Sequence, residues 1–316
     1  MKIFKFGGSA LQAKLLREKV IEIIKKEKDE KILLVVSAMG RSGFPYATDT
    51  LYGLINKEIM LDKSIARLIS CGEIISSIVL ENELKENQIK TISLSPKELG
   101  ISLKGSYLSS EIESVDVKNI QKAFELNNVV IVPGFVGINK EGEIATFNRG
   151  GSDLTAIVLA KELSIDEVYL FKDVDGVYPT FPKVSSKIQA YKYLTYQEMI
   201  LLNKLGFKVI NDVGVIYAMN NNIKINIVNY QTNIIGTEIG DNSEFNDCIG
   251  FVCGNNYILI ASFFPYEILE KIKTELKFVH IFIKDYQIEE YILTLHIPSS
   301  QIPVVRKKIT SLFFNK

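Results

Sequence analysis

Three short segments hold the residues able to do chemistry. The first is Lys5-Phe6-Gly7-Gly8-Ser9. Glycines after a strand let backbone N–H groups approach anionic oxygens closely. A lysine beside them can neutralise charge on a transferring phosphoryl group. The same residues also read as a plain strand-ending turn with a surface lysine. The second segment is Arg149-Gly150-Gly151-Ser152-Asp153, directly before a helical pattern. Glycines at a helix start form an anion-binding nest, and Ser152 or Asp153 can equally serve as the helix cap. The third is Asp173-Val174-Asp175-Gly176-Val177-Tyr178. Such an acidic turn is able to hold a ribose and base, or is only a turn. The sequence has neither a Walker loop nor a GxGxxG fingerprint. Its two histidines, His280 and His296, lie near the C-terminus, so chemistry in the first two-thirds must run without histidine.

These segments need elements to position them. Lys2–Phe6 reads as a short strand, and residues 11–28 carry Leu11, Leu15, Leu16, Val20, Ile23 and Ile24 at helical spacing. Lys31–Ser37 is a continuous apolar run of the kind buried parallel strands show. A Gly/Ser/Pro loop to Ala47 follows, then a helical pattern from about Thr50 to Glu86. Strands are expected at Ile89–Leu94, Val129–Pro133 and Glu167–Phe171, with a helix around Val117–Leu126. A hairpin is expected over Gly137–Thr146, turning at Lys140–Gly142, and a helix from Ser152 or Asp153 to Leu163. This alternation predicts an α/β fold, a mostly parallel sheet with helices on both faces. The glycine turns then gather at the carboxyl ends of the strands, where such sheets bind ligands. A boundary is expected in the polar stretch Gly236–Asn246. Beyond it, strand 249–263, helix 265–277, strands 278–285 and 289–297 and helix 300–314 predict a small α+β unit.

Composition narrows the function classes. Of 316 residues, 47% are hydrophobic and 23% charged, which suits a packed globular core. Lys+Arg and Asp+Glu both number 37, so nothing favours nucleic acid or a membrane surface as partner. No run approaches the roughly 18–20 apolar residues of a membrane span, and the N-terminus does not read as a signal peptide. A cytoplasmic location is expected. Cys71, Cys248 and Cys253 make no disulfide framework and have no ligand-spaced partners, so no protein metal site is expected.

The segments KFGGS, VVSAMG, YATDTL, SCGEIIS, GFVG, RGGSDLTA and DVDGVY stand in the order and approximate spacing of the aspartokinases. The resemblance covers residues 1 to about 235, and SAMGRSGFPYATDTL is most similar to the diaminopimelate-regulated type of spore-forming bacteria. It implies a three-layer α/β/α sandwich of the amino-acid kinase type. It implies transfer of the γ-phosphoryl group of ATP, with Mg²⁺, to the β-carboxylate of L-aspartate, the first step toward lysine, threonine, methionine and diaminopimelate. By resemblance, Lys5 and Asp153 are catalytic, and Gly7, Gly8 and Ser9 line the phosphates. Glu73 holds the substrate's α-ammonium and Arg149 its α-carboxylate, while Ser37, Thr48 and Ser152 hydrogen-bond substrate or phosphate. Lys172, Asp173, Tyr178, Lys183 and Lys208 fall where the family contacts ATP. A carboxylate nucleophile, with an unperturbed pKa of about 3.9, needs no general base. Catalysis then rests on positioning and on charge neutralisation by Lys5, Lys208 and Mg²⁺.

The implied division is a catalytic domain over 1–238 and a single ACT-like regulatory domain over 246–316, where aspartokinases usually carry two such units. An amino-acid effector at that domain and a homodimer are implied with it. Thr180-Phe181-Pro182-Lys183 and Asn211-Asp212-Val213 depart from the family's usual Ala-Asp-Pro-Arg and His-Pro-Arg. Two other readings stand beside the kinase: a non-catalytic amino-acid-binding regulatory subunit, and an amino-acid kinase with another acceptor. Retention of Lys5, Asp153, Glu73 and Arg149 speaks against the former.

Overall fold

The computed structural model describes residues 1–27, 29–147, 150–181, 188–241 and 245–314. The chain runs through β1 (Lys2–Phe6), α1 (Gly8–Leu11), α2 (Lys14–Lys26), β2 (Ile32–Val36), α3 (Thr48–Tyr52), α4 (Asp62–Glu86), β3 (Thr91–Ser93), β4 (Ile101–Ser106), β5 (Ser109–Val115), α5 (Lys118–Leu126) and β6 (Val129–Pro133). It continues with β7 (Val136–Asn139), β8 (Ile144–Thr146), α6 (Gly151–Glu162), β9 (Glu167–Lys172), β10 (Tyr193–Thr195), α7 (Tyr196–Lys204), α8 (Asp212–Asn220), β11 (Lys224–Asn229) and β12 (Ile234–Gly240). Last come β13 (Gly250–Cys253), β14 (Tyr257–Ala261), α9 (Pro265–Lys277), β15 (Asp285–Glu289), β16 (Ile292–His296) and α10 (Ile302–Phe313).

Among the described residues eight strands form the main sheet, in the order β10-β12-β11-β9-β1-β2-β6-β3. Every neighbouring pair is parallel except β11–β12. Strand side chains alternate between faces, and here both faces are apolar. Ile3, Leu33, Val35, Val130 and Val132 pack with α5, α6, α7 and α8. Phe4, Phe6, Leu34, Val36 and Ile131 pack with α1, α2 and α4. The result is a layer of helices on each face of the sheet. Helix α6 is buried from Gly151 through Ala160, and past its polar first turn the run from Ala156 to Ala160 is apolar on every side, as a helix enclosed in the core must be.

The sequence reading needs several corrections. The helix expected over 11–28 divides into α1 and α2, because Ala13 is extended, with φ −134° and ψ 149°. That expected over Thr50–Glu86 divides into α3 and α4; Gly53 caps the first and extended Leu61 precedes the second. Strands β4 and β5 were not anticipated, since their serines and charges give little apolar alternation. They join the expected hairpin in a four-stranded sheet, β5-β4-β7-β8. The strand expected over 249–263 is a hairpin, turning where the Gly254 N–H bonds the Tyr257 carbonyl at 2.9 Å. The strand expected at 278–285 begins only at Asp285, because α9 unwinds through His280 at φ 56°.

The C-terminal strands pair antiparallel in the order β13-β14-β16-β15 and pack against α9 and α10. This sheet joins the main body directly. The Phe251 N–H donates to the Pro179 carbonyl at 2.8 Å, and the Tyr191 hydroxyl donates to the Ile249 carbonyl at 2.7 Å. Among the described residues, no helix is long and apolar enough to cross a membrane.

The packing makes a direct prediction. Phe6 is fully buried and stacks on Phe171 with centroids 4.2 Å apart. Phe6→Ala should lower stability by about 3–5 kcal/mol in urea titration. Leu126→Ala, at an exposed site, should shift it by no more than about 0.5 kcal/mol.

Candidate active site

Parallel pairing sets Phe6 of β1 beside Val36 of β2 and Phe171 of β9. The carboxyl ends of three adjacent strands therefore share one edge, with Lys5, Ser37 and Lys172 on it. Helix α6 starts over this edge. Lys5 Nζ lies 2.8 Å from Asp153 Oδ1, and Lys172 Nζ lies 2.6 Å from Oδ2. One buried carboxylate thus bridges two ammonium groups. Burial alone would push the Asp153 carboxyl up, but Lys172 and then Lys5 outweigh it and hold the pKa down to about 2. Burial lowers the Lys5 ammonium, with Lys172 adding to the effect and Asp153 opposing it.

Two glycines fix the backbone here. Gly8 lies so close to the next loop that a Cβ would stand 2.4 Å from the carbonyls of Ala38 and Gly40. Gly150 caps α6 at φ 87°, a conformation that favours glycine, and no side chain caps the helix. The cap is therefore Gly150, neither Ser152 nor Asp153, and the dipole of α6 points its positive end at the site.

Helix α4 supplies the opposite wall. Glu73 is 2% exposed. Its Oε1 accepts from the Ala38 N–H at 3.2 Å and from the Thr48 hydroxyl at 3.4 Å. Its Oε2 is buried with no partner among the described residues. Burial raises the Glu73 pKa to about 7, against the pull of the Ala38 N–H, the Thr48 hydroxyl and Lys5. Between the walls lies a cavity of about 300 Å³. Lys5, Gly8, Ser37, Thr48, Glu73 and Ser152 line it, together with Ala38, Gly40, Asp49, Phe135, Gly150 and Gly151.

The remaining sequence-derived positions spread along the edge. Gly7 caps α1 and Ser9 lies within it. Lys172, expected on ATP, spends its ammonium on Asp153. Asp173 pairs with Arg41 across the end of β1 at 2.5 Å. Tyr178 is half-buried beyond the Asp175–Asn229 hydrogen bond, and Lys208 is exposed between α7 and α8. Neither lines the cavity. Arg149 and Lys183 lie outside the described residues. Sequence reasoning missed the Ala38 N–H, Asp49 and Phe135, although the quoted segments VVSAMG, YATDTL and GFVG contain them. It also missed Arg41, whose partner is distant in sequence and becomes a neighbour only through strand order. Among the described residues, no group of three or more His, Cys, Asp or Glu side chains is placed to hold a metal ion.

Glu73 gives a pH signature. Its folded-state pKa is raised, so the folded protein keeps a proton that the unfolded chain loses above about 4.5. Stability should fall as pH climbs from about 4.5 to about 7 and stay reduced above that. Glu73→Gln removes the charge at all pH values. The variant should melt well above wild type at pH 8, by a difference equivalent to about 3 kcal/mol, and match it near pH 4. A gap independent of pH in thermal melts would exclude this account.

Comparison with known proteins places this geometry. A model of the amino acid kinase family matches residues 1–229. Aspartokinase 1 of Bacillus subtilis (strain 168) is 32% identical over 243 residues, 75% of this chain and 60% of that protein. The chain therefore spans less than two thirds of that relative. Among solved structures, E. coli aspartokinase III in complex with aspartate and ADP aligns with TM-score 0.66 at 16% identity, covering 100% of this chain and 84% of that one. UMP kinase from Ureaplasma parvum aligns with TM-score 0.54 at 20% identity, covering 76% and 97%. At such identities the likeness is one of fold alone. The family match runs from β1 to the end of β11 and takes in both lysines, Asp153 and the wall of α4: the chain belongs to the amino acid kinase family.

Proposed function

We propose that the protein is an aspartate kinase, moving the γ-phosphoryl group of ATP onto the β-carboxylate of L-aspartate to give 4-phospho-L-aspartate. The observation that carries this reading is Glu73 Oε2, buried and without a partner among the described residues, at the wall of a cavity whose other side holds Lys5. A buried carboxylate without a full complement of donors calls for a cation, and an amino acid's α-ammonium supplies one. A nucleoside monophosphate has no such group. The named aspartokinase relative supports the same acceptor.

The reaction brings two anions together, so charge neutralisation and alignment dominate it. Lys5 meets the transferring phosphoryl group, and Asp153 holds Lys5 and Lys172 in place for it. Backbone N–H groups around Gly7, Gly8 and Ser9 cradle the phosphates. Ser37, Thr48 and Ser152 orient acceptor and phosphate, and Arg149 takes the α-carboxylate. Asp173, Tyr178, Lys183 and Lys208 serve the nucleotide. The acceptor is already ionised, so no side chain has to remove a proton. The lysine-rich edge fits a nucleotide that carries its own magnesium, which is held mainly by phosphate and water and offsets phosphate charge when bound.

Beyond the kinase body we assign residues 246–316 as one ACT-like unit that takes an amino-acid effector and pairs in a homodimer. The β14-α9-β15 crossover with β16 lying between the two strands supports it. The resemblance to diaminopimelate-regulated enzymes suggests the effector class, and ATP chemistry of this kind belongs to the cytosol.

Aspartyl phosphate trapped by hydroxylamine as the hydroxamate provides the test. Wild type should produce it only with ATP, magnesium and aspartate. Lys5→Ala should lower kcat by roughly 10²–10³-fold, and Arg149→Ala should chiefly raise KM for aspartate. A folded wild type that binds aspartate without making hydroxamate would turn the reading to the regulatory subunit. Preferential turnover of glutamate or a nucleoside monophosphate would replace the acceptor.

A further inference from the structure

Between α2 and α4 lies an ion pair that the catalytic scheme does not use. The Arg17 guanidinium meets Glu83 through two nitrogens: Nε lies 2.9 and 3.0 Å from the carboxylate oxygens, and Nη2 lies 2.7 Å from Oε1. Nη1 donates to the Leu11 carbonyl at 2.9 Å and stands 3.8 Å from Met39 Sδ. The side chains are only 13% and 11% exposed. Leu11 ends α1, the short turn that contains Gly8 and Ser9. Met39 precedes Gly40, whose N–H bonds the Gly8 carbonyl at 2.9 Å. One guanidinium therefore touches the backbone of the first strip, at the Leu11 carbonyl, and a side chain of the second, at the Met39 sulfur.

Glu83 and Glu73 share helix α4. Their ten-residue separation spans about 15 Å at the α-helical rise. The helix that carries the acceptor-side carboxylate thus also carries the anchor for Arg17. Resting on the phosphotransfer reading above, we propose that Arg17 is a positioning residue: fastened to Glu83, it locks the Gly7–Leu11 turn and the Met39–Gly40 loop to α4. Donor phosphate and acceptor are then held at one fixed separation. Arginine suits the task because a planar fork reaches carboxylate, carbonyl and sulfur at once, which a lysine does not. Stability alone does not explain the pair, since buried ion pairs replaced by apolar residues are often as stable or more so.

The test uses the full chain and two variants. In Arg17→Met/Glu83→Leu both charges go, and in Arg17→Lys the charge stays while the Leu11 and Met39 contacts go. The double variant should melt near or above wild type, and Arg17→Lys, which keeps the charge but loses hydrogen bonds, somewhat below it. Both should lose roughly 10–100-fold in kcat, the scale expected for misalignment near 1 Å, with KM for ATP and aspartate changed by less than about threefold. Amide hydrogen exchange over residues 7–11 should accelerate in both. Wild-type kcat with unchanged exchange in either variant would overturn the proposal. So would a kcat loss accompanied by an equal rise in KM, which would mean binding rather than alignment. If the double variant does not fold, Arg17→Lys decides alone. If wild type makes no hydroxamate, the aspartate kinase reading fails, and exchange over 7–11 in Arg17→Lys still decides whether the clamp exists.

Discussion

The site depends on one carboxylate shared by two ammonium groups. Three charges buried together are costly unless each has partners, and Asp153 gives both of its oxygens to lysines. The sum leaves one positive charge in excess at the sheet edge, next to the N-terminus of α6. An anion entering there relieves a charge imbalance already built into the protein. The rest of the fold can be read as what holds this cluster. Parallel pairing of β1 with β9 brings Lys5 and Lys172 to adjacent strand ends, and the tight turn at Gly150 starts α6 where Asp153 reaches both.

The opposite wall has the reverse electrostatics. Glu73 has too few donors for a buried carboxylate, so burial shifts it toward the neutral form. One side of the cavity is organised around surplus positive charge and the other around a group that lacks it. A zwitterionic ligand would satisfy both in one orientation. The rigidity behind the arrangement comes from two separate apolar cores on the two sheet faces, which leave strands and flanking helices little room to slide.

Much of the fold was legible in the sequence, and the reasons are local. Strands β2 and β6 are short, wholly apolar runs that suit the buried middle of a parallel sheet, and β1 adds Ile3, Phe4 and Phe6 around its two lysines. Strands β4 and β5 lie outside that sheet and carry serines and glutamates, so pattern alone did not reveal them. Helix α6 was found by its glycine start rather than by periodicity, because every side of it is covered. The site was legible as a set of segments but not as a set of contacts. Lys172 was placed beside Asp173 by its neighbours in sequence, whereas its ammonium turns to Asp153 because β9 lies next to β1. The burial of Glu73 and the Arg17–Glu83 pair depend on helix packing, which leaves no mark in residue spacing.

The hydrogen bond from Phe251 to the Pro179 carbonyl has a bearing on modularity. Pro179 follows Tyr178 directly, and Ile249 and Ala261 belong to the same apolar cluster as the α6–α8 layer. The seam that polar composition marks between residues 238 and 246 is crossed by this packing, although Cys248, Phe251, Ile258 and Ile260 belong to a separate apolar cluster with α9 and α10. The C-terminal sheet is both self-packed and grafted: exchanging it for another module would also mean re-covering the patch around Pro179, Tyr191 and Leu202 on which it sits.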